Sequence, residues 1–240
     1  MSTQAFVKSI RFNCFSVIAF IAVSINAFAD GGDWESQYSE DGLEVFTRAV
    51  EGAQVKAFKV QTVFDAPLQS VIAVIGDTEN YPNWFHLCES YTFVEAPAAA
   101  GAYTSYYIVS APWPLKDRDV YVKNRISQDA ETYTVTIKSS GAADFAPVKK
   151  GYTRVPDVSA YWTFKPVDRN KTYVEFMGHG YPGGIIPVWI ANMVVTDVPK
   201  KTFQNLRKVL TESRYDIANV SQKEPAFPNL KFPDSRVSLK

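Results

Sequence analysis

The chain has 240 residues, of which 46% are hydrophobic and 21% charged, and its 25 basic and 25 acidic side chains cancel at neutral pH. That length suits one large domain or two small ones, the composition is that of an ordinary globular protein, and the balanced charge gives no electrostatic footprint for nucleic acid, which is therefore excluded as a partner. Aromatic residues reach 14%, a supply suited to long strands facing a bulky interior.

At the N-terminus, Lys8 and Arg11 precede an apolar run over 12–25, and Ala27-Phe28-Ala29 follows with small-x-small spacing. Residues 1–29 therefore read as a secretory signal, because the apolar run is shorter than the ~20 residues a membrane span needs. The mature chain is expected in the periplasm or outside the cell. Cleavage leaves Cys88 as the only cysteine, so no internal disulfide and no cysteine-based metal site is possible. The core must hold the fold in an oxidising compartment, and Cys88 reads as a small buried apolar residue.

Residues 30–219 read as one domain. A short strand is predicted at 43–50 and an alternating one at 55–65, with Phe58, Val60, Thr62 and Phe64 on one face. Pro67 suits the first turn of a helix carrying Val71, Ile72 and Ile75 and stopping near Gly76. A short helical turn follows at 81–87. Strand-like runs then recur at 90–95, 103–110, 119–127, 132–139, 158–167 and 172–178, with turn residues such as Gly101 and Asp168-Arg169-Asn170 between them. These connections are too short for parallel crossovers, so the sheet should be an antiparallel meander of seven to nine strands.

A long closing helix begins near Pro187, with Ile186, Ile190, Val194, Val198, Thr202, Leu206 and Val209 at helical spacing. Pro199 should kink it. Residues 220–240 are polar and proline-punctuated, and they read as a mobile tail. No internal repeat or second domain is evident.

One segment stands apart. Ala111-Pro112-Trp113-Pro114-Leu115-Lys116-Asp117-Arg118-Asp119 brackets a tryptophan between two prolines and opens straight into a strand. Proline fixes its own backbone and biases the residue before it toward extended geometry, so this is a stiff loop with a large ring at its tip, as in a lid or wedge.

A sheet of this size curls, and one long helix is the only element able to cover its concave side. Such a shell encloses a hollow. A small-molecule pocket occupies ~300–1,000 Å³. At about 24 cal/mol per Å³, leaving it empty and dry would cost roughly 7–24 kcal/mol, which rivals the ~5–15 kcal/mol net stability of a domain. The hollow is therefore expected to hold a hydrophobic guest, or to be occupied by water or by partial collapse of the lid.

The order of elements resembles that of the START domain (steroidogenic-acute-regulatory-protein-related lipid transfer), in a bacterial secreted form. The likeness rests on Tyr81-Pro82-x-Trp84, on Pro112-Trp113-Pro114 with Arg118-Asp119, on Pro182-Gly183-Gly184-Ile185-Ile186-Pro187-Val188-Trp189-Ile190-Ala191-Asn192, and on Pro199 and Leu206-Arg207, over roughly 34–212. The resemblance implies an α+β helix-grip fold, a curved antiparallel sheet wrapped around a long C-terminal helix. It also implies a tunnel for one lipid or sterol, entered between loop 111–117 and the first half of the last helix. Family members often hold an acidic and a basic residue in that tunnel. Glu89 falls near the acidic position, whereas the basic position is Asn124 here; Arg125 beside it should point away by alternation.

The candidate ligand-binding residues are Phe58, Val60, Tyr107, Val122 and Trp162 from the sheet. The polar candidates are Glu89, Arg118 and Asn124. Trp113 is the candidate from the loop, and Ile186, Trp189, Ile190, Met193 and Val194 are those from the helix. Tryptophan favours lipid–water interfaces, which suits Trp113 for transient membrane contact, while Arg118 and Asp119 also suit bracing of the loop. His86 and His179, the only histidines, lack the partners a zinc site needs, and neither a phosphate-binding glycine loop nor a nucleophile elbow is present. No cofactor or metal is expected. Three functions remain open. The first is a non-catalytic, monomeric carrier of a lipid or other hydrophobic molecule. The second is a cyclase- or aromatase-like enzyme with Glu89, Glu175 or His179 as acid or base. The third is an adaptor docking a protein through the Trp113 loop.

Overall fold

The computed structural model describes residues 33–232, so the predicted signal at 1–29 and the stretch 233–240 lie outside the described residues. Ten strands form one curved sheet: β1 (Glu35–Glu40), β2 (Leu43–Arg48), β3 (Ala57–Phe64), β4 (Cys88–Glu95), β5 (Ala102–Val109), β6 (Arg118–Gln128), β7 (Val135–Gly141), β8 (Thr153–Arg154), β9 (Asp157–Pro166) and β10 (Thr172–Tyr181). The spatial order is β1-β2-β3-β10-β9-β7-β6-β5-β4. Pairing along this path is antiparallel. The two-residue β8 is the exception, lying parallel to β6. Sequence patterning misses β1 because none of its residues is buried, and β8 because it is too short to show a period.

Alternation decides what faces the concave side. On β6, Val120, Val122, Asn124 and Ile126 are buried, while Lys123 and Arg125 are exposed, so Arg125 points away as expected. The concave face is covered by α1 (Leu68–Gly76), α2 (Tyr81–Trp84) and the C-terminal helical segment. Apolar residues of all these elements share one core cluster. At its centre Trp162 stacks on Phe176 at 3.9 Å between ring centroids, with Phe203 of the last helix at 5.8 Å on Trp162. A second stack joins Tyr81, Tyr91 and Tyr107, at 3.7 and 5.6 Å.

The long C-terminal helix is divided into α3 (Val188–Val195) and α4 (Asp197–Val209). The break falls at Thr196, one turn before Pro199. Proline clashes with the carbonyl four residues earlier, here Val195, so the distortion appears upstream of the proline itself. Thr196 takes φ −122° and ψ −61°, and its amide and hydroxyl both bond to Asn192 O. Pro199 then sits within the first turn of α4, where a missing N–H is tolerated. The halves are seated differently. α4 buries Thr202, Phe203, Leu206 and Val209 against the main core, whereas α3 rests Ala191 and Val195 on Val55 in a separate small cluster.

The expectation of a mobile tail from 220 onward is corrected over 220–232. A short helix, α5 (Ile217–Val220), leads into a strap whose Phe227 and Leu230 belong to the main core. The strap is pinned to β6 by Gln128 Nε2 to Lys231 O at 2.7 Å, Lys231 N to Gln128 Oε1 at 2.8 Å and Asn229 Nδ2 to Ile126 O at 3.2 Å. A Cβ at Gly76 would lie 2.5 Å from Ala226 Cβ, so the glycine is what lets the strap lie against the end of α1.

Candidate functional site: an apolar cavity between two lips

Two loops meet at one end of the concave face. The first, 110–117, leaves β5 and returns into β6. Ala111 N donates to Asp117 Oδ1 at 2.8 Å and Leu115 N to Pro112 O at 3.0 Å, which closes the loop on itself. The second, 182–187, carries β10 into α3. It turns through Gly183 and Gly184 at φ +79° and +70°, a backbone region glycine enters without penalty. Arg118 joins the two, since its guanidinium donates to Lys116 O in the first loop and, at 3.4 Å, to Pro182 O in the second. Desolvation lowers the Arg118 pKa, opposed by the nearby Asp117.

Between the loops lies a cavity of about 210 Å³. Phe58, Tyr107, Arg118, Ile186, Ile190, Met193 and Val194, all anticipated from the sequence, line it. Phe58 reaches it across Gly178, its register partner on β10; a Cβ there would fall 2.5 Å from the Phe58 ring. A second, inner cavity of about 60 Å³ lies deeper, and Val122, Asn124 and Trp162 line that one. Phe85 and Tyr107 line both, with ring centroids 6.2 Å apart and edge to face. These two rings divide the interior. The enclosed space is below the ~300–1,000 Å³ typical of ligand pockets, because the aromatic stacks fill much of the hollow that the sequence leads one to expect.

Four anticipated residues lie outside both cavities. Val60 is fully buried in the main core, one inward position deeper than Phe58. Glu89 is exposed and accepts a hydrogen bond from Ser110 Oγ at 2.7 Å. The cause is a β-bulge: Cys88 pairs with Val109 and Ser90 with Ile108, so Glu89 is the extra residue and turns outward. Trp113 is 89% exposed at the tip of its loop, and Trp189 is exposed on the outer side of α3. Both belong to the outside of the lips rather than the cavity wall.

Asn124, standing where the resemblance leads one to expect a basic residue, is held in a closed polar chain. Ser139 Oγ donates to Asn124 Oδ1 at 2.6 Å, Asn124 Nδ2 to Ser105 Oγ at 3.1 Å, and Tyr91 OH to Ser105 Oγ at 2.7 Å. A neutral network thus replaces a buried ion pair. Asp119 faces the other way and braces the loop: it takes Arg154 bidentately at 2.8 and 3.0 Å on the outer face. No carboxylate lines either cavity. Glu175 accepts a bond from Tyr173 OH at 3.0 Å and lines neither cavity. His86 and His179 do line the entrance cavity; burial and the nearby Lys201 lower the His86 pKa. Among the described residues no group of acidic, histidine or cysteine side chains could hold a metal.

Sequence reasoning misses Val55, Phe85, Leu87, Val155, Val158 and Pro182 as cavity-lining residues. The apolar turn at 81–87 is visible, but nothing in a four-residue helix reveals which ring will close a space formed by distant strands.

A curved antiparallel sheet closed by a C-terminal helical segment around an apolar cavity defines the class as helix-grip proteins. The chain belongs to the START domain family, whose model matches residues 23–216. It is similar to an uncharacterized protein of Pseudomonas aeruginosa, 31% identical over 189 residues covering 79% of this chain and 91% of that one. It is also similar to the phosphatidylcholine transfer protein of Mus musculus, 25% identical over 68% of this chain and 76% of that one. Among solved structures, a fragment of the STAR-related lipid transfer protein of Xanthomonas axonopodis superposes with a TM-score of 0.68 at 28% identity, covering 76% of this chain and all of that fragment.

Proposed function

We propose that this protein binds a lipid, sterol or similar hydrophobic molecule non-covalently in the entrance cavity and exchanges it at a membrane surface, acting as a monomer after export. One observation carries the reading: the apolar cavity lies between two lips whose outer side chains are large, apolar and exposed. Trp113 stands on one lip at 89% exposure and Ile185 on the other at 94%, followed by Val188 and Trp189. Large aromatic side chains of this kind favour the lipid–water boundary. Burial supplies affinity at about 25 cal/mol per Å² of apolar surface, and the Phe85–Tyr107 pair is placed to turn aside and join the inner space to the outer. The family membership and the names of two relatives as transfer proteins support the same reading. Of the three acid–base candidates, Glu89 and Glu175 line neither cavity, which leaves the enzyme reading with His179 alone and no carboxylate beside it on the wall.

The test is transfer of a fluorescent phospholipid or sterol between vesicles, with native mass spectrometry of gently purified protein beside it. The wild type should speed transfer and carry a hydrophobic adduct. Met193→Trp, which puts bulk into a space of about 210 Å³, should abolish both. Bare polypeptide in every preparation together with no transfer would overturn the proposal.

A further inference from the structure

Arg118 shares the inward parity of Val120 and Val122 on β6, lines the entrance cavity, and is only 8% exposed. A guanidinium offers five N–H donors, yet this one meets two backbone carbonyls. The bond to Pro182 O, at 3.4 Å, is longer than the 2.7–3.2 Å of a well-formed N–H···O contact. Arg118 takes part in no ion pair among the described residues. Two acids flank it in sequence: Asp117 accepts from the amide of Ala111 at Oδ1 and acts on Arg118 only through space, and Asp119 is taken up by Arg154.

The rest of the cavity wall does not supply the missing charge. It holds no carboxylate. Its other cation, Lys56, is already matched by Glu35 at 2.8 Å. His179, also on the wall, has a buried Nε2 with no partner. Arg154 provides the contrast: equally secluded on the outer face, it is answered in full by Asp119. Burying a cation outside any ion pair is unfavourable, and of the two cationic side chains on this wall, Lys56 and Arg118, only Arg118 stands outside one among the described residues, which favours a guest of opposite charge.

We infer that the guest is an anionic amphiphile whose carboxylate or phosphate head is received by Arg118 at the mouth, its chain lying along Phe58, Ile190 and Tyr107. This rests on the reading of the cavity as a hydrophobic-ligand site and narrows it, setting neutral sterols and alcohols aside. Planar, bidentate recognition of an oxyanion is what the guanidinium fork is shaped for. Because the same group bonds one carbonyl in each lip, a bound head would sit where the two lips are tied.

The experiment is calorimetric titration of the full chain at about pH 8 with three ligands of one chain length: tetradecanoate, tetradecyl phosphate and 1-tetradecanol. The wild type should bind at least one of the two anions about tenfold or more tighter than the alcohol, the ratio expected of one charge-assisted contact. The better anion identifies the head. Arg118→Gln should bring the anion-to-alcohol ratio close to one, and Arg118→Lys should keep part of it. Should Arg118→Gln fail to fold, the wild-type ratio and Arg118→Lys decide. Equal wild-type binding of all three overturns the inference and leaves the hydrophobic site standing, as does a preference that survives undiminished in Arg118→Gln. Binding of none of them overturns the underlying reading instead.

Discussion

Single side chains on this sheet are governed by alternation and by where it fails. Parity places Arg118, Val122 and Asn124 on the inner face, as observed, and it places Arg125 outside. It cannot give depth. Val60 and Phe58 share a face, but only Phe58 reaches the cavity. Glu89 shows the other limit, for Tyr91 and Phe93 pack inward and simple alternation would carry Glu89 with them. The bulge resets the register between Cys88 and Ser90, and one inserted residue is enough to reverse a side chain. Cys88 meets its expectation. It is buried, and burial pushes its thiol from 9.0 up to about 12. Alkylation by iodoacetamide near pH 8 should therefore run roughly a thousandfold slower in the folded chain than in denaturant, following the thiolate fraction. Comparable rates would contradict this burial. The sign of the linkage follows: the unfolded thiol ionises first, so Cys88 contributes stability fully below pH 9 and progressively loses it as pH rises above that value.

At the scale of elements, eight of the ten strands, their antiparallel pairing and the closing helix are legible from period and punctuation, whereas β1 and β8 are not. The terminal strap is not, because anchoring through two apolar residues among polar ones leaves no periodicity. Phe227 is 1% exposed and packs on Tyr103 and Phe93 at 5.5 and 6.2 Å between centroids. Deleting a buried phenyl ring costs about 3–5 kcal/mol, so Phe227→Ala should lower Tm by roughly 10 °C in a domain of this size. Truncation after residue 220 should do at least as much. A melting curve left in place by both changes would restore the tail to solution. The strap closes the side of the sheet where Tyr103 walls the inner cavity, so it keeps that space from opening at the rear.

For the molecule as a whole, exposed hydrophobics are scattered over the surface, but the three most exposed large ones, Ile185, Trp113 and Val188, gather at the two lips of one cavity. Replacing Trp113 and Ile185 together by Ala should reduce sedimentation with lipid vesicles by about tenfold or more, since each insertion is worth on the order of 1.5–3 kcal/mol. Thermal stability should barely change, as neither side chain touches the core. Undiminished vesicle binding would contradict the proposed role of the lips in membrane contact. Among the described residues no helix is long and apolar enough to cross a membrane.

The discontinuity at Thr196 bears on the proposed exchange. The leading half of the last helix hangs on a small satellite cluster, while the trailing half is riveted into the main core. Under the proposed exchange, swinging the leading half would sacrifice only its own contacts, so the frequency of opening and the resistance of the frame to heat would be set by different residues, and either could be tuned without disturbing the other.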